Sequence, residues 1–328
     1  MASKPMFNIK RKVPVSLLGL ILFNVVLFVG LSFLSPTFLT IRNIQSLMLR
    51  MSELSMLTLA QTLVMIGGGM DLTVGSVMAL SGAIAGMLFR AGFNPATVLV
   101  CALLGGALVG FLNSFLVVHL KIQSFIATVA TNTIIRSVVY LLLKGRVLSA
   151  FPKSYVSLGS SYVLGFPILF LAVIAIAVAL HLLLRRTALG RSIYAAGANE
   201  QCAHISGIHV NYVKYFIFTM SGILSAIGGI MYTMRIGAII PDAGLNSPLE
   251  VVTAVLIGGA SVRGGKGSVL GSLLGILAMY VLLNGFSLLG LSSFWEVIML
   301  GVVLIAIVGQ GNKKQIVKMS RFSRRKAL

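Results

Sequence analysis

About ten stretches of roughly twenty apolar residues follow one another along this chain, and that succession limits the fold more than any motif does. A run of that length is the helix needed to cross a hydrocarbon core of about 30 Å, where backbone amides find no water and only helices or closed barrels can persist. The runs fall at 14–35, 46–67, 72–91, 96–119, 123–143, 163–185, 211–235, 248–262, 267–290 and 293–309, with glycine clusters interrupting the second, eighth and ninth. The expected fold is all-α and integral to the membrane, a polytopic bundle of about ten transmembrane helices, some of them broken. Composition agrees: of 328 residues 58% are hydrophobic and 10% charged, with a mean hydropathy of +1.03. The first run follows Lys4, Lys10, Arg11 and Lys12 as a secretion signal would. It is too long for one and lacks a small-x-small cleavage site, so it reads as an uncleaved first span.

A formal charge of +20 would suit nucleic acid if it formed one basic face. The basic residues bunch instead at the two ends and in short loops between apolar runs, which is how chains are oriented in bilayers, so nucleic-acid binding is not expected. With the N-terminus inside and the spans alternating, the termini plus Lys121, Arg185, Arg186, Arg191, Lys214, Arg263 and Lys266 put 18 of the 26 basic residues on the cytoplasmic side. The chain divides accordingly into a basic cytoplasmic N-terminus (1–13), a transmembrane domain (14–309) and a basic cytoplasmic C-terminal tail (310–328), with the stretch 187–209 also cytoplasmic.

No enzyme constellation is visible. Paired catalytic carboxylates, HExxH, GxSxG and clustered histidines are absent, and His119, His181, His204 and His209 are scattered near span boundaries. Cys101 and Cys202 have neither metal-ligand nor CxxC spacing, so no disulfide, metal or redox role is expected. The loop "GGASVRGGKGS" looks like a phosphate-binding loop, which needs Gly, four residues, Gly, Lys and then Ser or Thr. Here Ala260 stands where the first Gly should be and Gly267 where the hydroxyl residue should be. The chain itself is expected to bind no nucleotide.

Residues 64–86 and 255–277 read alike: apolar run, Gly-Gly, polar glycine-rich link, Gly-Ser-Val, apolar run. Gly67-Gly68 and Gly258-Gly259 stand 191 residues apart, and Gly75-Ser76-Val77 and Gly267-Ser268-Val269 stand 192 apart. Transporters are assembled from such repeats, with broken helices beside the path; glycine-rich turns that merely look alike are the other reading. Polar groups inside spans are expensive and are kept for a path or for helix contacts. The cases are Gln61 and Thr62, Asn113 and Ser114, Thr128, Thr131, Asn132 and Thr133 with Arg136, and Asn284. Neutral amides and hydroxyls suit a neutral hydroxylated passenger such as a sugar, interhelical hydrogen bonding being the alternative for any one of them. Asp71 reads as a helix N-cap, with an ion or proton site as the sharper reading. A proton-coupled carrier would have only Asp71, Glu250 and Glu296 to work with.

The stretch "TALGRSIYAAGANEQCAHISGI" (187–208) breaks the apolar pattern. Asn199 is a good N-cap, Glu200 sits in a first turn where the helix dipole favours an anion, and Gly207 can take the left-handed conformation that closes a helix. The result is a helix of about two turns over 200–206, too short to stand alone in water. Such a helix makes sense where a partner protein supplies its packing surface, with Ala195, Ala196, Gly197, Ala198 and Ala203 small enough to enter a groove. A plain loop on lipid headgroups is the alternative.

These residues resemble the EAA-type cytoplasmic coupling loop of ATP-binding-cassette importer permeases of the ribose/xylose/galactoside and autoinducer-2 branch. The shared elements are a threonine, Gly-Arg, an Ala-x-Gly-x-Asn run, a further alanine and a closing Gly-Ile. "FLTIRNIQSLM", "TLVMIGGGMDLTVGSVMALSG", and "VLIGGASVRGGKGSVLGSLLG" with "LLNGFSLLGLSSFWE" resemble the same family, and the likeness runs over about 35–309. The resemblance implies a permease subunit in the bacterial inner membrane, with both termini cytoplasmic. It would pair with a second permease, bind cytoplasmic ATPase subunits, and receive a monosaccharide or similar solute from an extracytoplasmic binding protein. Gly190, Arg191, Gly197, Asn199, Glu200, Ala203 and Gly207 would form the ATPase-coupling element, while ATP and Mg would be held by the ATPase, leaving this chain without a cofactor. Gln61, Thr62, Asp71, Thr131, Asn132, Glu250 and Asn284 are the candidates for lining the path. Two departures touch that path: Pro248-Leu249-Glu250 stands where the family has Glu-Leu-Asp, and Ala130-Thr131-Asn132 where it has a Leu-Gly-Thr-like element. An ion- or proton-coupled secondary carrier is the competing reading.

Overall fold

The structure is a computed structural model that describes residues 15–149, 151–292, 294–295, 298–302 and 305. Helices α1 (Val15–Leu34), α2 (Ile41–Ile66), α3 (Val74–Arg90), α4 (Pro95–Val118) and α5 (Ser124–Leu143) lead to a short α6 (Lys153–Gly159). A small antiparallel hairpin, β1 (Tyr162–Val163) against β2 (Phe166–Pro167), then turns the chain into α7 (Ile168–Arg186). There follow α8 (Ala188–Ala198), α9 (Glu200–Ile205), α10 (Val210–Ile236), α11 (Ser247–Ile257) and α12 (Val269–Leu288).

Among the described residues, six helices are long and apolar enough to cross a membrane: α1, α4, α5, α7, α10 and α12. With bare leucines such as Leu104, Leu108 and Leu141 on their outer faces, they make this a multi-pass, all-α membrane protein. Helix α2 is more polar but is buried from Met51 through Ile66. Helix α10 lies at the centre, packed on α2, α3 and α4. Its Gly222 meets Gly106 of α4 so closely that a Cβ on either would strike the other's carbonyl oxygen, the close approach that small-residue spacing permits.

Helix ends depart from the expected windows where caps and turns intervene. Thr40 accepts from Asn43 N (3.4 Å), so α2 begins at Ile41 rather than near 46. The hairpin delays α7 to Ile168 instead of 163. Helix α11 stops at Ile257 rather than 262; at 11 residues it is about 16 Å long, half the hydrocarbon core. Helix α8 occupies residues expected to be loop. The expected span 293–309 lies largely outside the described residues, those described there being helical. The segments 1–13 and 310–328 and Glu296 also lie outside them.

The internal echo has a structural counterpart. Gly67 caps α2 and Gly258 caps α11, and the next residue in each, Gly68 and Gly259, has φ +84°. Gly68 N donates to Met65 O (3.1 Å) and Gly69 N to Val64 O (3.0 Å); Gly259 N donates to Leu256 O (3.0 Å) and Ala260 N to Val255 O (3.2 Å). Both are Schellman closures, whose left-handed position glycine fills without strain. The likeness stops at the next helix: Ser268 caps α12 by accepting from Gly271 N (3.0 Å), whereas Ser76 lies inside α3. Thr73 holds the N-cap position of α3 in place of the expected Asp71.

Candidate functional site

The Gly67–Gly68 turn and the Gly264–Gly265 stretch of the α11–α12 loop converge on the end of α8. Thr187 starts that helix by accepting from Gly190 N (3.0 Å), and Asn199 both ends it and caps α9, accepting from Cys202 N (2.9 Å). A Cβ on Gly197 would land on the Ile66 carbonyl oxygen and come within 2.8 Å of Gly265 N. Gly264, at φ +82°, would carry a Cβ to 2.6 Å from both Gly197 O and Gly68 Cα. Gly265 N donates to Ile66 O (2.9 Å) and the Tyr194 hydroxyl to Gly267 O (2.8 Å). Burial raises the Tyr194 phenol pKa, with the Arg185 charge opposing it, so the hydroxyl remains a donor. The α2–α3 turn, the end of α8 and the α11–α12 loop thus interlock backbone against backbone.

Within α8 and α9, Gly190, Gly197 and Ala203 are buried, while Arg191, Asn199, Glu200 and Gly207 are exposed. Glu200 pairs with Lys214 of α10 (2.6 Å). Gly207, at φ +80°, closes α9 as Gly207 N reaches His204 O and Ile208 N reaches Ala203 O (both 3.0 Å). Ala196, Gly197 and Ala203 spend their smallness inside the chain rather than in a partner's groove. Gln201, His204 and Ile205 point outward, Ile205 being 79% exposed.

From this junction α10 runs 27 residues, about 40 Å, to a 540 Å³ cavity at the opposite end of the bundle. Arg50 and Glu53 line it from α2, Tyr232 and Arg235 from α10, Glu250 from α11, and Tyr280 and Asn284 from α12. Arg235 grips Glu53 side-on, Nε to Oε2 at 2.8 Å and Nη2 to Oε1 at 2.6 Å. The Glu53 side chain keeps 8% exposure and that of Arg235 19%. The guanidinium also lies 5.8 Å over the Tyr232 ring. Tyr280 lines the cavity together with Glu250, Glu53, Arg235 and Arg50. Asn284 and Asn43 exchange amide hydrogen bonds, both 3.0 Å. The rim, which includes Asp242, is pinned from α5: Arg136 Nη1 donates to Pro241 O (2.8 Å) and Ala243 O (2.7 Å), and Tyr140 donates to Asp242.

Of the polar residues singled out in the sequence, Glu250 and Asn284 are brought together on this cavity. The others lie elsewhere, Asp71, Gln61 and Thr62 among them held by protein groups. Asp71 accepts from Thr73 N (2.9 Å) and Thr73 Oγ1 (2.5 Å) on one oxygen and Ser221 Oγ (2.7 Å) on the other. Gln61 Oε1 accepts from Asp71 N (3.3 Å), and the Thr62 hydroxyl donates to Thr58 O (2.6 Å). Thr131 is buried, and Asn132 Oδ1 has no hydrogen-bond partner among the described residues. The ring of charge formed by Arg50, Glu53 and Arg235 was not anticipated; Glu53 adds a buried acid to those counted from the sequence. Its signal was the Arg50–Glu53 spacing of one helical turn inside an apolar span, where charges are costly unless they face an interior or a cavity.

A family model described as the permease component of a branched-chain amino acid transport system matches residues 43–308. This chain belongs to that family. Its relatives include the ribose import permease protein RbsC of Haemophilus influenzae, 36% identical over 289 residues, covering 87% of this chain and 89% of the relative. The fructose import permease protein FrcC of Rhizobium meliloti is 34% identical over 303 residues, covering 90% and 82%. The autoinducer 2 import system permease protein LsrC of Shigella flexneri is 30% identical over 284 residues, covering 87% and 83%. The branch named from the motifs is therefore the one in which the chain falls. No solved structure matches it.

Proposed function

We propose that this chain is the membrane-spanning subunit of an ATP-driven importer for a monosaccharide or a similar small polyhydroxylated solute. The observation that carries the reading is similarity to import permeases named for ribose, fructose and autoinducer 2 along nearly nine-tenths of the chain. In this reading about ten helices cross the bacterial inner membrane with both termini in the cytoplasm, and α8 with α9 forms the coupling element. A cytoplasmic ATPase holds ATP and Mg and docks on the outward residues of α8–α9, among them Arg191, Asn199, Glu200 and Gly207. A second permease copy completes the channel, and an extracytoplasmic binding protein delivers the solute at the cavity end.

The mechanism follows from the junction. A contact of equal strength in both ATPase states would shift nothing, so the ATPase must hold α8–α9 differently when closed than when open. Gly197, wedged between Gly68 and Gly264, passes that displacement to α2 and to the α11–α12 loop together, because backbones in direct contact leave no slack for side chains to absorb. Helices α2, α11 and α12 in turn carry Glu53, Glu250 and Asn284, so the cavity changes shape when the junction moves. Glu250 and Asn284 meet the solute first; Gln61, Thr62, Asp71, Thr131 and Asn132 join the path only where α2, α3, α5 and α10 part.

Proteoliposomes carrying the complete transporter provide the test. D-ribose or D-fructose is expected to accumulate with ATP on the ATPase side and binding protein on the other. Uptake driven by an ion gradient without ATP would favour a secondary carrier and sink this reading.

A further inference from the structure

We propose that the cavity remote from α8–α9 is itself a binding subsite for an uncharged polyol, with the Glu53–Arg235 pair, Tyr280 and Asn284 as its recognition groups. The proposal rests on the import reading and deepens it: solute is selected inside the permease as well as by the protein that delivers it.

At 540 Å³ the cavity is within the range of small-molecule sites, roughly 300–1,000 Å³. Its polar groups converge from separate helices and are fixed before any ligand arrives. The side-on grip of Arg235 on Glu53 sets the plane of both groups. It uses one hydrogen bond per carboxylate oxygen and the Nε and Nη2 groups of the guanidinium, leaving Nη1 and the remaining carboxylate lone pairs for a third partner. The reciprocal amide pair with Asn43 holds Asn284 in place on the wall. Tyr280 lines the same cavity as Glu53, Glu250, Arg50 and Arg235 and adds a phenol to the groups available there.

The charge pattern selects the ligand class. Two guanidinium groups, Arg50 and Arg235, share the walls with the carboxylates of Glu53 and Glu250. The third carboxylate, Asp242 on the rim, accepts from Tyr140 and is offset by Arg136 of α5, so the charges are matched without help from a ligand. A hydroxyl both accepts and donates, so neighbouring hydroxyls of a polyol can accept from a guanidinium and donate to a carboxylate while leaving the ion pair closed. A zwitterionic amino acid would bring two more full charges against walls whose charges are already matched, and desolvating an ammonium and a carboxylate in a partly buried site is costly. The site therefore favours a neutral polyol over a free amino acid, the solute named in the family description.

Saturation-transfer NMR on the full-length chain in lipid nanodiscs tests this with D-ribose and D-fructose as probes and L-leucine as the amino-acid comparison. Saturation should reach the ring protons of at least one sugar and not leucine. Glu53→Gln and Asn284→Ala should each reduce the sugar signal about tenfold, the weight of one hydrogen bond to a charged or preorganised group. Leu104→Ala, on the outer face of α4, should leave it unchanged. Asn284→Ala keeps the test decisive if Glu53→Gln fails to fold. Absence of any sugar signal, a sugar signal indifferent to both cavity variants, or leucine binding better than the sugars would overturn the proposal. Failure of the import reading looks different, since there the chain binds sugar while the complete transporter does not move it with ATP.

Discussion

The two ends of this bundle are built on opposite principles. At the α8–α9 end, Gly197, Gly68, Gly264 and Gly265 leave no room between backbones. At the other end, Arg50, Glu53, Arg235, Glu250 and Asn284 stand around open space. The first end is injured by adding an atom, the second by removing one. That contrast suits a machine in which one end carries displacement and the other end carries chemistry, joined by α2 and α10, which run from one to the other.

The largest effect is expected from opening the ion pair. Glu53→Ala removes the carboxylate that Arg235 grips with two hydrogen bonds in a partly buried site and should lower stability by about 3 kcal/mol, read as thermal unfolding in detergent. Replacing both members, Glu53→Met with Arg235→Met, should restore most of that stability because apolar side chains of similar volume are tolerated there, yet sugar uptake should stay lost. Uptake that returned with stability would make the cavity end a packing device like its counterpart and erase the contrast.

Next comes the junction. Gly264→Ala puts a methyl between Gly68 and Gly197 at a left-handed position and should destabilise the docked arrangement by about 2 kcal/mol, or roughly 30-fold in its population, measured as ATP-dependent uptake. Asn199→Ala removes the cap of α9 and should weaken that helix by about 1 kcal/mol, seen as faster amide exchange confined to 200–205. The smallest effect belongs to Glu200→Ala: its exposed pair with Lys214 should contribute less than about 1 kcal/mol, visible as a modest salt-dependent change in ATPase affinity.

The junction was more legible in the sequence than the cavity was. Glycine pairs 191 residues apart announced two like turns, and Asn199 and Gly207 marked the limits of α9, because caps and left-handed turns are local and restricted to few residue types. That the first turn and the Gly264–Gly265 stretch beyond the second meet on Gly197 could not be read, since close approach depends on three segments at once. Helix α8 was missed because Gly190 and Gly197 lower its propensity, and the burial of Ile193 and Ala196 outweighs that. The cavity was harder still. Glu53 and Arg235 are 182 residues apart, and neither charge in its own apolar run names the other as its partner. Asp71, the acid most conspicuous in the sequence, is saturated by Thr73 and Ser221.

The central claim is that the glycine junction carries ATPase closure to the cavity, and Gly197→Ala addresses it most directly. Gly197 is buried against its own chain, so the variant should still copurify with the ATPase through the outward residues of α8–α9. In proteoliposomes its ATP hydrolysis should persist within about twofold of wild type while D-ribose uptake falls by at least about tenfold, the effect of roughly 1–3 kcal/mol of overpacking. Hydrolysis and uptake that both stay at wild-type levels would contradict the account.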